Sequence, residues 1–449
     1  HCTFLSPAQC QLFSVQVNQV IAKRWNGKVK IITGLRRCGK SYLLSELYKG
    51  VLLSEGVSES DIIELSLEKK SNAKYRNPIA LQDYILSKAS DPARKYYVFI
   101  DEIQLCLSVK NPDIDESIVT DKNDPSLNIT FYDVLNDLKD YKNLDIYVTG
   151  SNSRMLSSDI VTNFRDRGSE IKVYPLSFRE FYNAFEMEKT DALEEYIQHG
   201  GMPLAVTEPD EAEKRKYLKD LHKKVYLPDI VERYKLNDDV ILEALLDELY
   251  SSIGSLSNMK NLSNAVSSNL QKNTSDHTVK LYVDYLMDAY LLSKVARYDV
   301  KGKKYFEYPN KYYATDIGLR NAELNFRQIE RSHIIENIIY NELIFRGYSV
   351  DVGVVAINKV VDGKKTQSLH EIDFVVNKGS QKVYIQSALE LGNPEKKEQE
   401  LTSLYHAKDF FRKIVILGGN QKATTDETGI TYVGVIPFLL DESFLDTYM

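Results

Sequence analysis

The stretch Gly34-Leu35-Arg36-Arg37-Cys38-Gly39-Lys40-Ser41 constrains this chain more than any other. Before it runs Lys28–Thr33, whose apolar and β-branched residues predict a buried strand; after it runs Tyr42–Leu47, which predicts the start of a helix. Two glycines keep the turn free of side-chain bulk, so its backbone N–H groups can close on phosphate oxygens at the helix N-terminus. Lys40 then supplies a point charge near the β- and γ-phosphates, and Ser41 a hydroxyl ligand for Mg²⁺. The pattern predicts a nucleotide site in which Gly34, Leu35, Arg36, Arg37, Cys38, Gly39, Lys40, Ser41 and Tyr42 meet the cofactor. No Asn-Lys-X-Asp guanine-reading motif occurs, so ATP is expected rather than GTP.

A second apolar run, Tyr96-Tyr97-Val98-Phe99-Ile100, ends in Asp101-Glu102. In a parallel α/β sheet the C-terminal strand edges share one side, which brings these acids to the phosphate loop. Asp101 is expected to hold Mg²⁺ through water, and Glu102 to polarise the attacking water as general base. A third run, Leu144–Thr149, ends in Gly150-Ser151-Asn152-Ser153. Asn152 is the first choice for sensing the γ-phosphate and Ser151 the second. Arg167 or Arg165, before the strand Glu170–Tyr174, is expected to stabilise charge on the transferring phosphoryl group, in its own site or a neighbour's. A polar turn and solvated arginines are the alternative readings of these residues.

With 449 residues the chain can hold several domains. Its formal net charge of −7 means that any nucleic-acid contact must come from a local basic surface. No apolar run approaches the ~20 residues of a membrane helix, so no membrane partner is expected. His1–Pro7 lack the basic start and apolar core of a secretory signal, and this end, without Met, reads as trimmed. Cys2, Cys10, Cys38 and Cys106 have neither CxxC nor zinc spacing, and a disulfide at Cys38 would obstruct the loop. Reduced thiols and a cytoplasmic location are expected.

Together these stretches resemble the prokaryotic AAA-type ATPases allied to the archaeal ATPases. Val173–Phe181 is similar to that family's segment after the arginine-bearing loop. Gly200-Gly201-Met202-Pro203 is similar to its short lid motif, and Lys311–Asn321 to the start of its C-terminal domain of unknown function. The likeness runs from about Val15 onward. It implies a sheet of order 5-1-4-3-2, with the acid strand beside the phosphate-loop strand. An arginine acting on a neighbour's site would imply an oligomer. The stretch Leu107–Leu127 departs from the family: polar, turn-rich and acidic, it predicts an extended loop, an insertion in preference to a partner contact.

Glu211–Lys235 is dense in Lys and Arg, with Tyr217, Leu218, Leu221, Val225 and Tyr226 at helical spacing; it predicts a lid helix with a solvated basic face. Val240–Tyr250, Ser257–Val266 (capped by Ser257) and Thr278–Met287 (capped near His277 or Asp276) predict three more helices. Tyr290–Tyr298 and Lys304–Tyr308 then alternate as two strands joined by Asp299–Lys303. This is the outline of a winged helix, in which the third helix enters a DNA groove and Lys280, Lys301, Lys303 and Lys304 meet phosphates. That helix is poor in outward Arg, Asn and Gln, and winged helices also dock proteins. Double-stranded or branched DNA through 276–304 and a protein partner are both expected possibilities.

Farther on, the amphipathic helix His333–Leu343 and strands at Tyr348–Gly353, His370–Val376, Val383–Ala388, Lys413–Leu417 and Ile430–Val435 predict a mixed sheet. Glu336, Asp373 and Gln386 fall where the PD-(D/E)xK restriction-endonuclease-like core, which this region resembles, gathers Mg²⁺. The lysine of that pattern is Ala388 here, and Lys382 lies too early. A degenerate, binding form is expected over an active nuclease. The expected class is thus α/β. An AAA-like P-loop parallel sheet fills 1–178, a helical lid 179–236, a winged-helix-like module 237–325, and an endonuclease-like α/β domain 326–449. The expected function is Mg²⁺-dependent ATP hydrolysis coupled to DNA binding or remodelling. A nucleotide-gated switch docking a protein, and an ATP-regulated nuclease, are the alternatives.

Overall fold

Five strands of the N-terminal part form one parallel sheet: β1 (Val29–Gly34), β2 (Ile62–Ser66), which the sequence reading did not identify, β3 (Tyr96–Asp101), β4 (Leu144–Thr149) and β5 (Gly168–Val173). The computed structural model describes residues 14–115, 117–150, 168–236, 239–361 and 364–446, and divides into units His1–Tyr174 and Pro175–Met449. In the first unit β1 and β4 are buried at every position, and their one charge each, Lys30 and Asp145, pair with one another. Helices α1 (Pro78–Lys88) and α2 (Phe131–Leu138) pack Leu81, Ile85, Phe131, Val134 and Leu138 against Val98, Ile100, Ile146 and Val148.

The strand order is β2-β3-β4-β1-β5, the expected 5-1-4-3-2. The placement of the acid strand is corrected: β3 is not beside β1. β4 lies between them, pairing with β1 at Lys30↔Tyr147 and with β3 at Tyr96↔Leu144. A parallel order that ends 4-3-2 leaves the acid strand no other place. The helix after the phosphate loop begins at Lys40, and its middle, Leu43–Tyr48, is π-wound. Leu107–Leu127 is more ordered than an open loop. Val109–Lys110 pairs antiparallel with Asn128–Ile129, and Asn111, Asp115, Asp121 and Asp124 each accept the backbone N–H two residues on. The acid-rich composition of this stretch is turn chemistry.

In the second unit, α3 (Lys189–His199) precedes a long run in which α4 (Glu211–Leu221) passes through π-wound His222–Tyr226 into α5 (Leu227–Tyr234). Then come α6 (Asp239–Ser251), α7 (Met259–Leu270), α8 (Asp276–Asp288), α9 (Ile317–Glu323), α10 (Arg331–Phe345) and α11 (Pro394–His406). Two caps are corrected. Asn258 caps α7, while Ser257 lies in a strand; Ser275 caps α8, while Asp276 and His277 lie inside it. In each case the cap is the residue whose oxygen reaches the N–H three positions on.

The strands are β6 (Leu256–Ser257), β7 (Leu292–Asp299), β8 (Lys304–Ala314), β9 (Ser349–Val361), β10 (Lys364–Lys378), β11 (Gln381–Ala388), β12 (Arg412–Leu417), β13 (Thr424–Thr425) and β14 (Ile430–Gly434). They form one mixed sheet in the order β13-β14-β12-β11-β10-β9-β7-β8-β6. Strand β8 runs on to Ala314, so Lys311–Ala314 completes a hairpin instead of opening a new domain. Parallel pairing of Val352–Val354 with Arg297–Asp299 carries the sheet across the expected boundary at 325.

Three of the family-like stretches meet at one corner of this unit. Asp316 accepts the N–H groups of Gly201 (2.7 Å) and Leu319 (2.9 Å), and Leu176 N donates to Gly201 O (2.8 Å). A Cβ at Gly201 would lie 2.1 Å from Leu176 O, and one at Gly318 1.9 Å from His199 O. Close backbone approach sets these residue types.

Candidate functional site

The phosphate loop takes its shape from three left-handed residues, Gly34 (φ 138°), Arg37 (φ 63°) and Gly39 (φ 102°). Only glycine fits at 34, where a Cβ would lie 2.1 Å from Val173 O. Cys38 is buried with Sγ 3.5 Å from the same carbonyl, and burial pushes its thiol up, so it is a packed small residue and not a nucleophile. Lys40 is buried and lies back along the loop, its Nζ donating to the carbonyls of Gly34 (3.1 Å) and Leu35 (2.9 Å).

From the first turn of the following helix, Ser41 Oγ donates to Asp101 Oδ1 at 2.7 Å. The same carboxylate oxygen accepts the Thr149 hydroxyl at 2.5 Å, and Thr149 Oγ1 accepts the Glu102 backbone N–H at 3.0 Å. Glu102 is held at φ 55°, with its carboxylate bonded by the Gln104 amide. Burial raises the Glu102 carboxyl above its ordinary value, and the Lys40 charge offsets part of that rise. A carboxylate of raised proton affinity is a better general base. A cavity of about 490 Å³ opens over Ser41, Asp101 and Thr149, walled by Glu64, Glu68 and Asn72. The hydroxyl–carboxylate pair is an oxygen donor set of the kind Mg²⁺ takes, and the glycine-shaped loop is of the kind phosphates take.

The structure thus brings together residues 34–42, Asp101 and Glu102. Ser151, Asn152, Arg165 and Arg167 lie outside the described residues. Sequence reasoning missed Thr149 and Gln104. The signal for Thr149 was a hydroxyl after the apolar run Ile146–Val148, at the end of a strand that lies between the loop strand and the acid strand.

In the second unit Glu336 on α10, Asp373 on β10 and Gln386 on β11 also converge. Gln386 Oε1 accepts the Asp373 N–H at 3.3 Å, and Asp373 Oδ2 accepts the Ser387 N–H at 2.8 Å. Lys311, which sequence reasoning had not singled out, enters the same place and pairs with Glu336, Glu371 and Asp373. Among the described residues no group of three or more His, Cys, Asp or Glu is arranged to hold a metal ion. The expected phosphate contacts Lys280, Lys301, Lys303 and Lys304 are all exposed, and Lys301 Nζ also donates to Ala356 O at 2.7 Å. Among the described residues no helix is long and apolar enough to cross a membrane.

Residues 26–182 match a family described as an AAA domain, and residues 190–330 one described as a domain of unknown function (DUF8612). A Haemophilus influenzae protein described as uncharacterized is 32% identical over 429 residues, which cover 94% of this chain and 97% of that protein. The chain belongs to the family of that Haemophilus protein. A Methanocaldococcus jannaschii relative, also described as uncharacterized, is 26% identical over 390 residues, covering 83% of this chain and 77% of its own. A solved Walker-type ATPase of Pyrococcus abyssi aligns with 70% of this chain and 95% of its own at 12% identity, with a TM-score of 0.44. The AAA-domain match spans the phosphate loop, Asp101, Glu102 and Thr149, so this family member carries a P-loop fold of the nucleotide-binding kind.

Proposed function

We propose that this protein is a Mg²⁺-dependent ATP phosphohydrolase. The observation that carries the reading is the 2.7 Å contact between Ser41 and Asp101, which brings the two expected metal ligands together at the mouth of the loop. Residues 34–42 grip the phosphates, with Lys40 turning from the loop carbonyls to the β- and γ-oxygens. Ser41 directly and Asp101 through water would hold Mg²⁺, which when bound would neutralise charge at those oxygens. Glu102 takes the proton of the attacking water. Asn152 reports the γ-phosphate, and Arg167 or Arg165 supplies positive charge, from its own chain or a neighbour's in an oligomer. Steady-state ATPase assays test this: Glu102→Gln is expected to bind ATP and to turn it over roughly 10²–10⁴-fold more slowly. Undiminished turnover removes the general-base assignment.

The use of hydrolysis is proposed to be DNA binding or remodelling. What supports this is the succession α6, α7, α8 and the β7–β8 hairpin with β6 alongside, the outline of a winged helix, bearing exposed Lys280, Lys303 and Lys304. The division at 178 and 236, and double-stranded or branched DNA as partner of 276–304 and the C-terminal domain, belong to this proposal; a division at 325 does not, because one sheet crosses it. It predicts ATPase stimulation by DNA and a steep loss of affinity with salt. Turnover indifferent to DNA favours the switch that docks a protein partner. A nuclease at Glu336, Asp373 and Gln386 is the remaining reading, and Lys311 bears on it directly.

A further inference from the structure

Lys311 stands on β8 at 3% exposure. Its Nζ lies 2.6 Å from Glu371 Oε1, 2.9 Å from Glu336 Oε1 and 3.6 Å from Asp373 Oδ1. Three carboxylates from α10 and β10 therefore converge on one ammonium supplied by a third element. The acids have further donors: Tyr313 OH gives a 2.6 Å bond to Glu336 Oε1, and Ser387 N–H a 2.8 Å bond to Asp373 Oδ2. Asp373 is 7% exposed, and Glu336 and Glu371 are partly buried.

Carboxylates crowded away from water require a positive partner, because each otherwise costs several kcal/mol of lost hydration. Two kinds of cation suit such a nest. A divalent ion gathers oxygens at about 2.0–2.6 Å around a common centre. An ammonium donates three N–H groups at hydrogen-bond distance. The separations to Glu371 and Glu336 are of the second kind, and Asp373 at 3.6 Å adds a third carboxylate to the ion-pair cluster. A lysine assisting a water nucleophile must present an N–H to that water, and this one commits two N–H groups to carboxylates while a third carboxylate stands 3.6 Å from its nitrogen. At position 388, where the sequence pattern wanted a lysine, Ala388 packs among Leu401, Leu404 and Val415.

We propose that the Lys311 ammonium takes the place of a divalent cation among Glu336, Glu371 and Asp373, so that the C-terminal half serves as a metal-free binding module and does not cut nucleic acid. The same ammonium ties the hairpin strand β8 to α10 and β10. The proposal is independent of the ATPase reading.

The test is Mn²⁺ binding, followed by electron paramagnetic resonance on full-length, nucleotide-free protein carrying Asp101→Asn to silence the P-loop site. No bound Mn²⁺ is expected at millimolar concentration. Adding Lys311→Met is expected to lower the melting temperature and to create one Mn²⁺ site, which restores part of the loss; Glu371→Gln added to that protein is expected to abolish the site. One Mn²⁺ bound by the Asp101→Asn protein and lost on Glu371→Gln overturns the proposal. So does a folded Lys311→Met protein with no Mn²⁺ affinity, or Mn²⁺-dependent DNA cleavage by the wild type that Asp373→Ala removes. Where Lys311→Met does not fold, the Asp101→Asn protein with and without Glu371→Gln decides alone: no binding in either upholds the proposal.

Discussion

Thr149 donates its hydroxyl to Asp101 Oδ1 at 2.5 Å, and through the same oxygen receives the N–H of Glu102. One buried hydroxyl thereby fixes both acids of the candidate site, the carboxylate of the first and the left-handed backbone of the second. Thr149→Val keeps the shape and removes the hydroxyl. It leaves the part-buried Glu102 N–H without this partner, at a cost of up to about 1–3 kcal/mol. If that cost falls on the arrangement of the acids, ATP turnover drops on the order of 10- to 100-fold. Thr149→Ser should recover most of it. Steady-state kinetics check both, and a Val variant with full turnover would show the hydroxyl to be idle.

Glycines in this chain divide by what surrounds them. Gly318 has no room, since a Cβ there would lie 1.9 Å from His199 O. Gly50 lies within a helical segment with nothing within 4 Å of a built Cβ. Gly50→Ala should therefore stabilise by about 0.4–1 kcal/mol, through a less flexible unfolded chain. Gly318→Ala should destabilise strongly, because backbone must move. Chemical denaturation of the two variants gives opposite signs on this account, and equal signs would refute it.

Lys30 and Asp145 form an ion pair whose side chains are 1% and 2% exposed, and Asp145 also accepts Tyr147 OH at 2.7 Å and Trp25 N–H at 3.1 Å. Lys30→Met leaves a carboxylate in the core without its cation. The expected loss is about 3–5 kcal/mol, and adding Asp145→Asn should return part of it. Urea midpoints of the single and double variants measure the coupling; strictly additive losses would mean the pair is not one unit.

His222 is fully buried between the rings of Tyr226 and Tyr250, with Glu323 Oε2 3.8 Å from Nδ1. Burial lowers its imidazole from 6.5 to about 4. The unfolded chain then takes up the proton first, so the stability held above pH 6.5 is lost as pH falls toward 4, up to about 3 kcal/mol. Burial acts oppositely on Glu180 and Glu323, raised to about 7, and Asp316, raised to about 6. Their contribution is full below the ordinary carboxyl range and is lost as pH rises through 6 to 7. Comparing wild type with His222→Phe isolates the imidazole: their stability difference should shift against the wild type between pH 6.5 and 4. A difference that does not change with pH would contradict the assignment.

The phosphate loop, the acid pair and four of the five core strands were legible because each is local; the strand Ile62–Ser66 was not read. An apolar run, a turn and a polar end lie within ten residues of one another, and burial on both faces writes itself as continuous hydrophobicity. Thr149 and Lys311 were not legible as site residues. Each is an ordinary residue in a strand, and its partners arrive from distant segments through strand order and register. The helix caps missed by one or two positions for a related reason. Ser257, Asn258, Ser275 and Asp276 are all able caps, and only the path of the chain selects among them. The acid strand was placed beside β1 on the resemblance alone, although the order 5-1-4-3-2 itself sets β4 between them.

Main-chain hydrogen bonds join Arg297–Asp299 to Val352–Val354, so the β7–β8 hairpin is stitched near its tip to a much larger sheet. An arm hinged at its base could swing to meet a partner; this one would have to be unpicked first. The surface there is accordingly a stiff anvil, and whatever lands on it must do the bending.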